Sequence, residues 1–131
     1  MEKTGIILAV ITLFALDVEA GTQERLEACR QEIDSLDQRL VELIQKRARV
    51  VEEVGTVKRE AGLTIRDAQR EQQVIEKVQR LAKGGPLPAE AVGRIYQKLI
   101  EEMRNWEQKL NDAATRQSSS QPGGDRRQQI E

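Results

Sequence analysis

The chain has 131 residues, of which 38% are hydrophobic, 33% are charged and only 2% are aromatic. This length suits one domain, and so few aromatic residues exclude a large aromatic core. The 21 basic and 22 acidic residues leave a net charge of -1, which gives no electrostatic case for nucleic acid as a partner. Histidine is absent and Cys29 is the only cysteine, which excludes an internal disulfide, a multi-cysteine metal site and a histidine general base.

The N-terminal segment, residues 1–20, has the layout of a secretory signal peptide. A lysine near the start precedes an apolar run from Gly5 to Leu16, and Val18 and Ala20 have the spacing of a small-residue cleavage site. The run is shorter than the roughly 20 residues that span a bilayer, so no stable membrane span is expected after cleavage. The alternatives are a membrane-tethered leader and a helical extension that packs on the domain. A cleaved leader predicts a periplasmic or secreted protein, and otherwise we expect a cytoplasmic one.

The remaining chain divides by composition into a helical domain, residues 21–112, and a polar tail, residues 113–131. The tail is rich in Ser, Gln and Gly, has almost no apolar surface, and is predicted to be disordered. Gly and Pro cluster near 84–88 and 122–124, and no segment alternates as a strand does. We therefore predict an all-α fold.

Apolar residues at steps of three and four predict a first helix of unusual length. This stripe consists of Leu26, Cys29, Ile33, Leu36, Leu40, Leu43, Arg47, Val50, Val54, Val57 and Ala61. We interpret Cys29 as a packing residue of the stripe rather than a reactive thiol. Gly62 is expected to end this helix, a second helix to begin near Arg66, and a third to carry Pro88 in its first turn.

The long first helix predicts a homodimer. It would extend for about 55 Å, whereas the second helix could be only about half as long. One chain cannot cover so much apolar surface, so we expect an intertwined homodimer of three helices per chain whose long helices share one core. The alternative is an antiparallel coiled coil without a pocket.

Two cations lie on the apolar stripe or close to it. Lys58 follows Arg47 by eleven residues, which places it about 20° away around the helix axis and about 16 Å along it. An inward arginine without an anionic partner is unfavourable, so we expect both side chains to converge on a small anion. Arg30 would lie about 40 Å from Lys58 along the helix, so only the Arg30 of an antiparallel partner could reach the same ligand. Taken singly, each cation is more typical of a solvated surface.

A second polar cluster lies in "IRDAQRE". Asp67, Arg70 and Glu71 have i, i+3, i+4 spacing and share one helix face, with Asp67 near the helix start, where a carboxylate is favourable. The cluster indicates either a binding face or an ordinary helix cap with a salt bridge.

These motifs together resemble the all-helical chorismate mutase family. The resemblance lies in "LEACRQEIDSLDQRLVELIQKRARVVEEVGTVKREAGLTIRDAQRE" and "RIYQKLIEEMRNWEQKL", over about residues 24–110. The matching elements are an early Arg, an Ile-Asp-x-Leu-Asp run, a mid-helix Arg, a Gly followed three residues later by Lys, and an Arg-Asp-x-x-Arg-Glu block. They correspond here to Arg30, Ile33 to Asp37, Arg47, Gly55 to Lys58 and Arg66 to Glu71.

The resemblance implies a domain-exchanged dimer that converts chorismate to prephenate on the shikimate route to phenylalanine and tyrosine, without a cofactor or a metal. It implies that Arg47 and the Arg30 of the partner chain hold the two substrate carboxylates, and that Lys58 donates to the ether oxygen. Glu71 would accept from the ring hydroxyl, Asp67 would lie near that hydroxyl, and Arg70 would support the carboxylate side. Such a site stabilises the charge that develops on the ether oxygen and fixes a compact substrate conformer.

Two positions depart from the family pattern. Glu107 stands where many bacterial members have a Gln that donates to the ether oxygen, although some members carry Glu, and Met103 replaces a nearby Ser of the substrate site. A protonated Glu107 would donate to the ether oxygen and an ionised one would repel it, so activity is predicted to be higher at mildly acidic pH. The alternatives are an isochorismate pyruvate lyase of the same fold and a non-catalytic dimeric helical binding module.

Overall fold

The computed structural model describes residues 3–120, and their side chains from residue 18 onwards. Its elements are three helices, α1 (Lys3–Glu60), α2 (Ala68–Ala82) and α3 (Ala89–Ser119), and the described residues form no strand. The predicted all-α fold with three helices and a very long first helix is therefore confirmed.

The chain divides into two units, Met1–Lys46 and Arg47–Glu131. In its described part, the first unit consists of α1 residues alone, and the apolar side chains of the predicted stripe are exposed on it. Cys29, predicted to pack in this stripe, is also exposed in the single chain. A helix segment of this kind has no core of its own, so its apolar side chains need another surface to cover them.

The second unit contains the end of α1 together with α2 and α3, and it holds the buried residues of the described chain. Val78, Ile100 and Met103 form a small core between α2 and α3. The two helices approach closely at Gly93, where an added Cβ would lie 2.5 Å from Nε2 of Gln79. The absence of a side chain at Gly93 therefore lets α3 pack against α2 at this point.

The helix ends follow local rules that the sequence shows. After α1 ends at Glu60, Gly62 adopts a positive φ of 65°, and the amide of Leu63 donates to the Lys58 carbonyl at 2.8 Å. This is a Schellman motif, which favours glycine because its φ is left-handed. At the start of α2, Oδ1 of Asp67 accepts from the Arg70 amide at 2.9 Å and so satisfies a free N–H of the first turn.

The third helix extends beyond residue 112. α3 continues to Ser119 and so includes the first residues of the predicted polar tail, residues 113–131. Ala and Arg are strong helix formers, and hydroxyl groups here bond the preceding turn, as Thr115 does to the Asn111 carbonyl at 3.0 Å. The rest of the predicted tail, residues 121–131, lies outside the described residues.

The predicted leader, residues 1–20, overlaps the start of α1, and most of its side chains lie outside the described residues. In the part of the chain that is described, no helix has an apolar stretch long enough to cross a bilayer. The signal peptide, its cleavage and the resulting compartment stay predictions.

Candidate active site

A cavity of about 280 Å³ lies within the second unit, between the end of α1, the segment that leads into α2, the start of α2 and the facing side of α3. Its walls combine valine, isoleucine and methionine side chains with charged groups. The cations are Arg47, Lys58, Arg70 and Arg104, and the acids are Asp67, Glu71 and Glu107. Every predicted site residue of the second unit therefore borders one cavity, although these residues come from three helices and a connecting segment.

Lys58, in the last turn of α1, is held from two sides. Its Nζ donates to Oε1 of Glu107 on α3 at 2.9 Å, and it also donates to the backbone carbonyl of Ile65. The Lys58 side chain is only 19% exposed. Because an ammonium group has three donors, one N–H remains for a ligand in the cavity.

Glu107 is the most deeply buried charged residue among those described, with 5% of its surface exposed. It fits there because Gly55 of α1 faces it: a Cβ on Gly55 would lie 3.1 Å from Cγ of Glu107 and 3.6 Å from its Oε1. Any other residue at Gly55 would crowd this carboxylate. The Gly-x-x-Lys spacing thus places a carboxylate of α3 beside the ammonium of Lys58.

The side chains of the predicted polar face, Asp67, Arg70 and Glu71, differ in the contacts that they make. Asp67 caps α2 through its side chain, as the simpler interpretation expected. Glu71 does not pair with Arg70, because its Oε1 accepts from Nη1 of Arg104 on α3 at 2.6 Å. The side chain of Arg70 therefore stays available, and the residue that neutralises Glu71 comes from another helix.

Arg104 was not identified from the sequence. A signal was nevertheless present, since Arg104 is spaced i, i+4 from Ile100 and i, i+3 from Glu107, and both belong to the inner face of α3. A charged residue next to Met103, in a helix already assigned to the site, is a candidate on spacing alone.

The ion pairs leave an excess of positive charge in the cavity. Lys58 pairs with Glu107 and Arg104 pairs with Glu71, whereas neither Arg47 nor Arg70 makes an ion pair within residues 18–120. Arg47 is half-buried in the wall. With Asp67 counted, the cavity has four cations and three acids, an excess of one positive charge. Two guanidinium groups without carboxylate partners, beside apolar walls, suit a small ligand that carries carboxylate groups.

Two predicted site residues differ from this pattern. Arg30 belongs to the first unit, where its side chain is 67% exposed and Nη1 lies 3.8 Å from Oε2 of Glu27 one turn earlier. Met103 is buried in the cavity wall and offers no strong polar contact. Across the described residues, no group of acidic or cysteine side chains is arranged to hold a metal ion.

The fold and cavity define a class: an all-helical protein with a small cationic pocket between helices. Within this class the chain belongs to the family described as chorismate mutase type II, whose sequence pattern matches residues 29–108. The chain is similar to a bifunctional chorismate mutase/prephenate dehydratase of Aquifex aeolicus, with 36% identity over an alignment of 93 residues that covers 69% of this chain. It spans 26% of the length of that relative.

A solved structure gives the same result for the fold. The chain resembles chorismate mutase (form II) from Thermus thermophilus, with a TM-score of 0.61 and 26% sequence identity. The similarity covers 64% of this chain and 94% of the other. The predicted membership of the all-helical chorismate mutase family is confirmed.

Proposed function

We propose that the protein is a chorismate mutase, which converts chorismate to prephenate. The observation that carries the proposal is the cavity itself, where two guanidinium groups without an acidic partner in residues 18–120 and the half-buried ammonium of Lys58 border apolar walls. In this rearrangement the ether C–O bond breaks while a C–C bond forms within the same molecule. No group is transferred to the protein, so fixed charges and a shaped pocket are sufficient catalytic means.

We assign the charge-stabilising role to Lys58. As the ether bond breaks, negative charge develops on its oxygen, and a fixed donor beside that atom stabilises the transition state more than the ground state. The contacts to Glu107 and to the Ile65 carbonyl support this role because they hold Nζ in one place before the substrate binds. A donor fixed in advance needs no reorganisation during the reaction.

We assign carboxylate binding to Arg47, with Arg70 in support. Both side chains border the cavity and neither is neutralised by an acid of the described chain. A guanidinium group binds a carboxylate with two parallel hydrogen bonds, which fixes orientation as well as position. We assign the ring hydroxyl to Glu71, with Asp67 at the nearby helix start.

The conversion of chorismate tests this proposal directly. The full-length protein is mixed with chorismate, and separately with isochorismate, while prephenate and salicylate are measured. We expect prephenate from chorismate. Salicylate from isochorismate, without prephenate from chorismate, would instead identify a lyase. If neither product forms, the remaining interpretation is a non-catalytic binding module.

Glu107 is expected to limit the positive charge that Lys58 offers to the substrate. Its carboxylate lies beside the ammonium of Lys58 and is buried, so it offsets part of that charge near the ether oxygen. We expect Glu107→Gln to raise kcat/KM for chorismate several-fold, because an amide leaves the charge of Lys58 uncompensated and can donate a hydrogen bond of its own. The pH dependence inferred from the sequence stays a prediction.

The matched control for this prediction is Glu90→Gln, since Glu90 is an exposed carboxylate of the same helix. It should keep the kcat/KM of the parent. A Glu107→Gln variant that is no more active than the parent would contradict the role of Glu107.

We further propose that the working form is a homodimer. Several apolar residues of α1, among them Leu36, Leu43 and Val57, are more than half exposed in the single chain. A contiguous apolar surface of this kind is typical of an interface, and a second copy offers a matching stripe. In such a dimer, Arg30 of one chain could complete the cavity of the other, which would add a cation for the second carboxylate.

Subunit mixing tests the contribution of Arg30 across the dimer. At chorismate concentrations well below KM, we expect Arg30→Ala and Arg47→Leu each to be nearly inactive as pure proteins. Coexpression should restore about a quarter of the parent activity, because half of the dimers are mixed and each has one intact site. If the two arginines acted within one chain, every site in the mixture would lack one of them and activity would not return.

A further inference from the structure

Arg104 forms the ion pair that joins α3 to the first turn of α2. Its Nη1 donates to Oε1 of Glu71 at 2.6 Å, and the two side chains are 30% and 22% exposed. Both residues border the cavity. The contact is therefore partly shielded from water, where a charge-assisted hydrogen bond is stronger than on an open surface.

We propose that Arg104 is a positioning residue, which acts on the substrate through Glu71. The inference rests on the proposed function, because the group that Glu71 would bind is the ring hydroxyl of chorismate. Arg104 engages one carboxylate oxygen of Glu71, and the other, Oε2, has no hydrogen-bond partner within residues 18–120. That second oxygen is then fixed in place as the acceptor for the hydroxyl group.

No other described group can take over this task. Asp67 already uses its side chain to cap α2, and the side chain of Arg70, although on the same helix as Glu71, forms no ion pair with it. Without Arg104, the flexible side chain of Glu71 would lose its only described side-chain partner. Binding the hydroxyl would then also require ordering of that side chain, which is entropically unfavourable.

The neighbouring residue supports the same conclusion. Met103 offers no strong polar contact on this part of α3, so α3 contributes its polar groups to the cavity through Arg104 and Glu107. Glu107 is already bonded to Lys58. Arg104 is thus the residue through which α3 determines the polar environment of the substrate ring.

The test compares Arg104→Met with the parent on two substrates, chorismate and an analogue in which hydrogen replaces the ring hydroxyl. With chorismate we expect kcat/KM to fall about 10- to 100-fold, the effect of losing a hydrogen bond to a charged group. With the analogue, the variant and the parent should agree within about twofold, because Glu71 then has no hydroxyl to bind. Arg94→Met is the matched control, since Arg94 is an exposed arginine of α3, and it should match the parent on both substrates.

Two further variants make the result decisive. Arg104→Lys keeps the charge but loses the planar fork of the guanidinium, so it should be more active on chorismate than Arg104→Met and less active than the parent. If Arg104→Met does not fold, Arg104→Lys replaces it in the comparison of the two substrates. In a Glu71→Gln background, Arg104→Met should cause little additional loss of activity.

Equal losses on the two substrates, or full activity of Arg104→Met on chorismate, would overturn the inference. A parent protein without activity on chorismate would instead refute the proposed function.

Discussion

Replacing Lys58 with methionine is expected to lower kcat for chorismate by about 10²- to 10³-fold, with a much smaller change in KM. The reason is that Lys58 is proposed to bind a charge that exists only in the transition state, and removal of one such donor has effects of this size. Methionine preserves most of the volume of the side chain. Steady-state kinetics of prephenate formation measure both constants.

The same variant is expected to be less stable than the parent by about 2 kcal/mol, because the buried carboxylate of Glu107 would lose the hydrogen-bond donor that satisfies it. The loss of activity must therefore be separated from this loss of stability. The double variant Lys58→Met/Glu107→Gln removes the uncompensated carboxylate, so it should regain stability in urea unfolding but stay inactive. Recovery of activity in the double variant would show that Lys58 has only a structural role.

Replacing Arg47 with leucine is expected to raise KM for chorismate strongly and to lower kcat/KM by about 100-fold or more. Arg47 is proposed to bind a carboxylate that is present in both the ground state and the transition state, so its removal should weaken substrate binding in particular. The kcat/KM of Arg47→Lys should lie between those of the parent and Arg47→Leu. Lysine keeps the positive charge, but an ammonium group cannot form the paired hydrogen bonds of a guanidinium.

Arg47 differs from Lys58 in its expected effect on folding. It has no carboxylate partner among the described residues, so Arg47→Leu should leave the free energy of unfolding unchanged or raise it. Arg49→Leu is the control, since Arg49 is an exposed arginine of the same helix turn, and its KM should equal that of the parent. An unchanged KM in Arg47→Leu would refute the assignment of Arg47 to carboxylate binding.

The two variants together separate the proposed enzyme from a non-catalytic module. A module that only binds an anion would respond to Arg47→Leu in affinity and would show no turnover for Lys58→Met to reduce. An enzyme responds to the first mainly in KM and to the second mainly in kcat. The contrast follows from when each negative charge appears during the reaction.

Much of the fold could be predicted because it depends on local signals. The steps of three and four in α1, the positive φ of Gly62 and the cap at Asp67 are each determined by a few neighbouring residues. The exposure of individual side chains could not be predicted in this way. Leu81 follows the buried Val78 by three residues, a spacing typical of one helix face, yet Leu81 is 74% exposed, because periodicity identifies a face but not how far the neighbouring helix covers it.

In the candidate site, too, the residues could be proposed from the sequence but their contacts could not. Arg47 and Lys58 could be proposed from their positions along one helix, and Glu71 and Glu107 from the resemblance to a family. That Glu107 bonds Lys58, and that Glu71 bonds Arg104 rather than its neighbour Arg70, could not be read from spacing. Residues 49 and 33 positions apart meet only when helices pack.

The amino-acid sequence by itself determined the three helices, the end of α1, the start of α2, the family and the cations that line one side of α1, since these depend on residues close together in the chain or on motifs in order. Only the tertiary structure decided which charges neutralise each other and which remain for a ligand. The physical reason is that a charge pair depends on separations of a few ångströms between different helices, and those separations are determined by packing, as at Gly55 and Gly93.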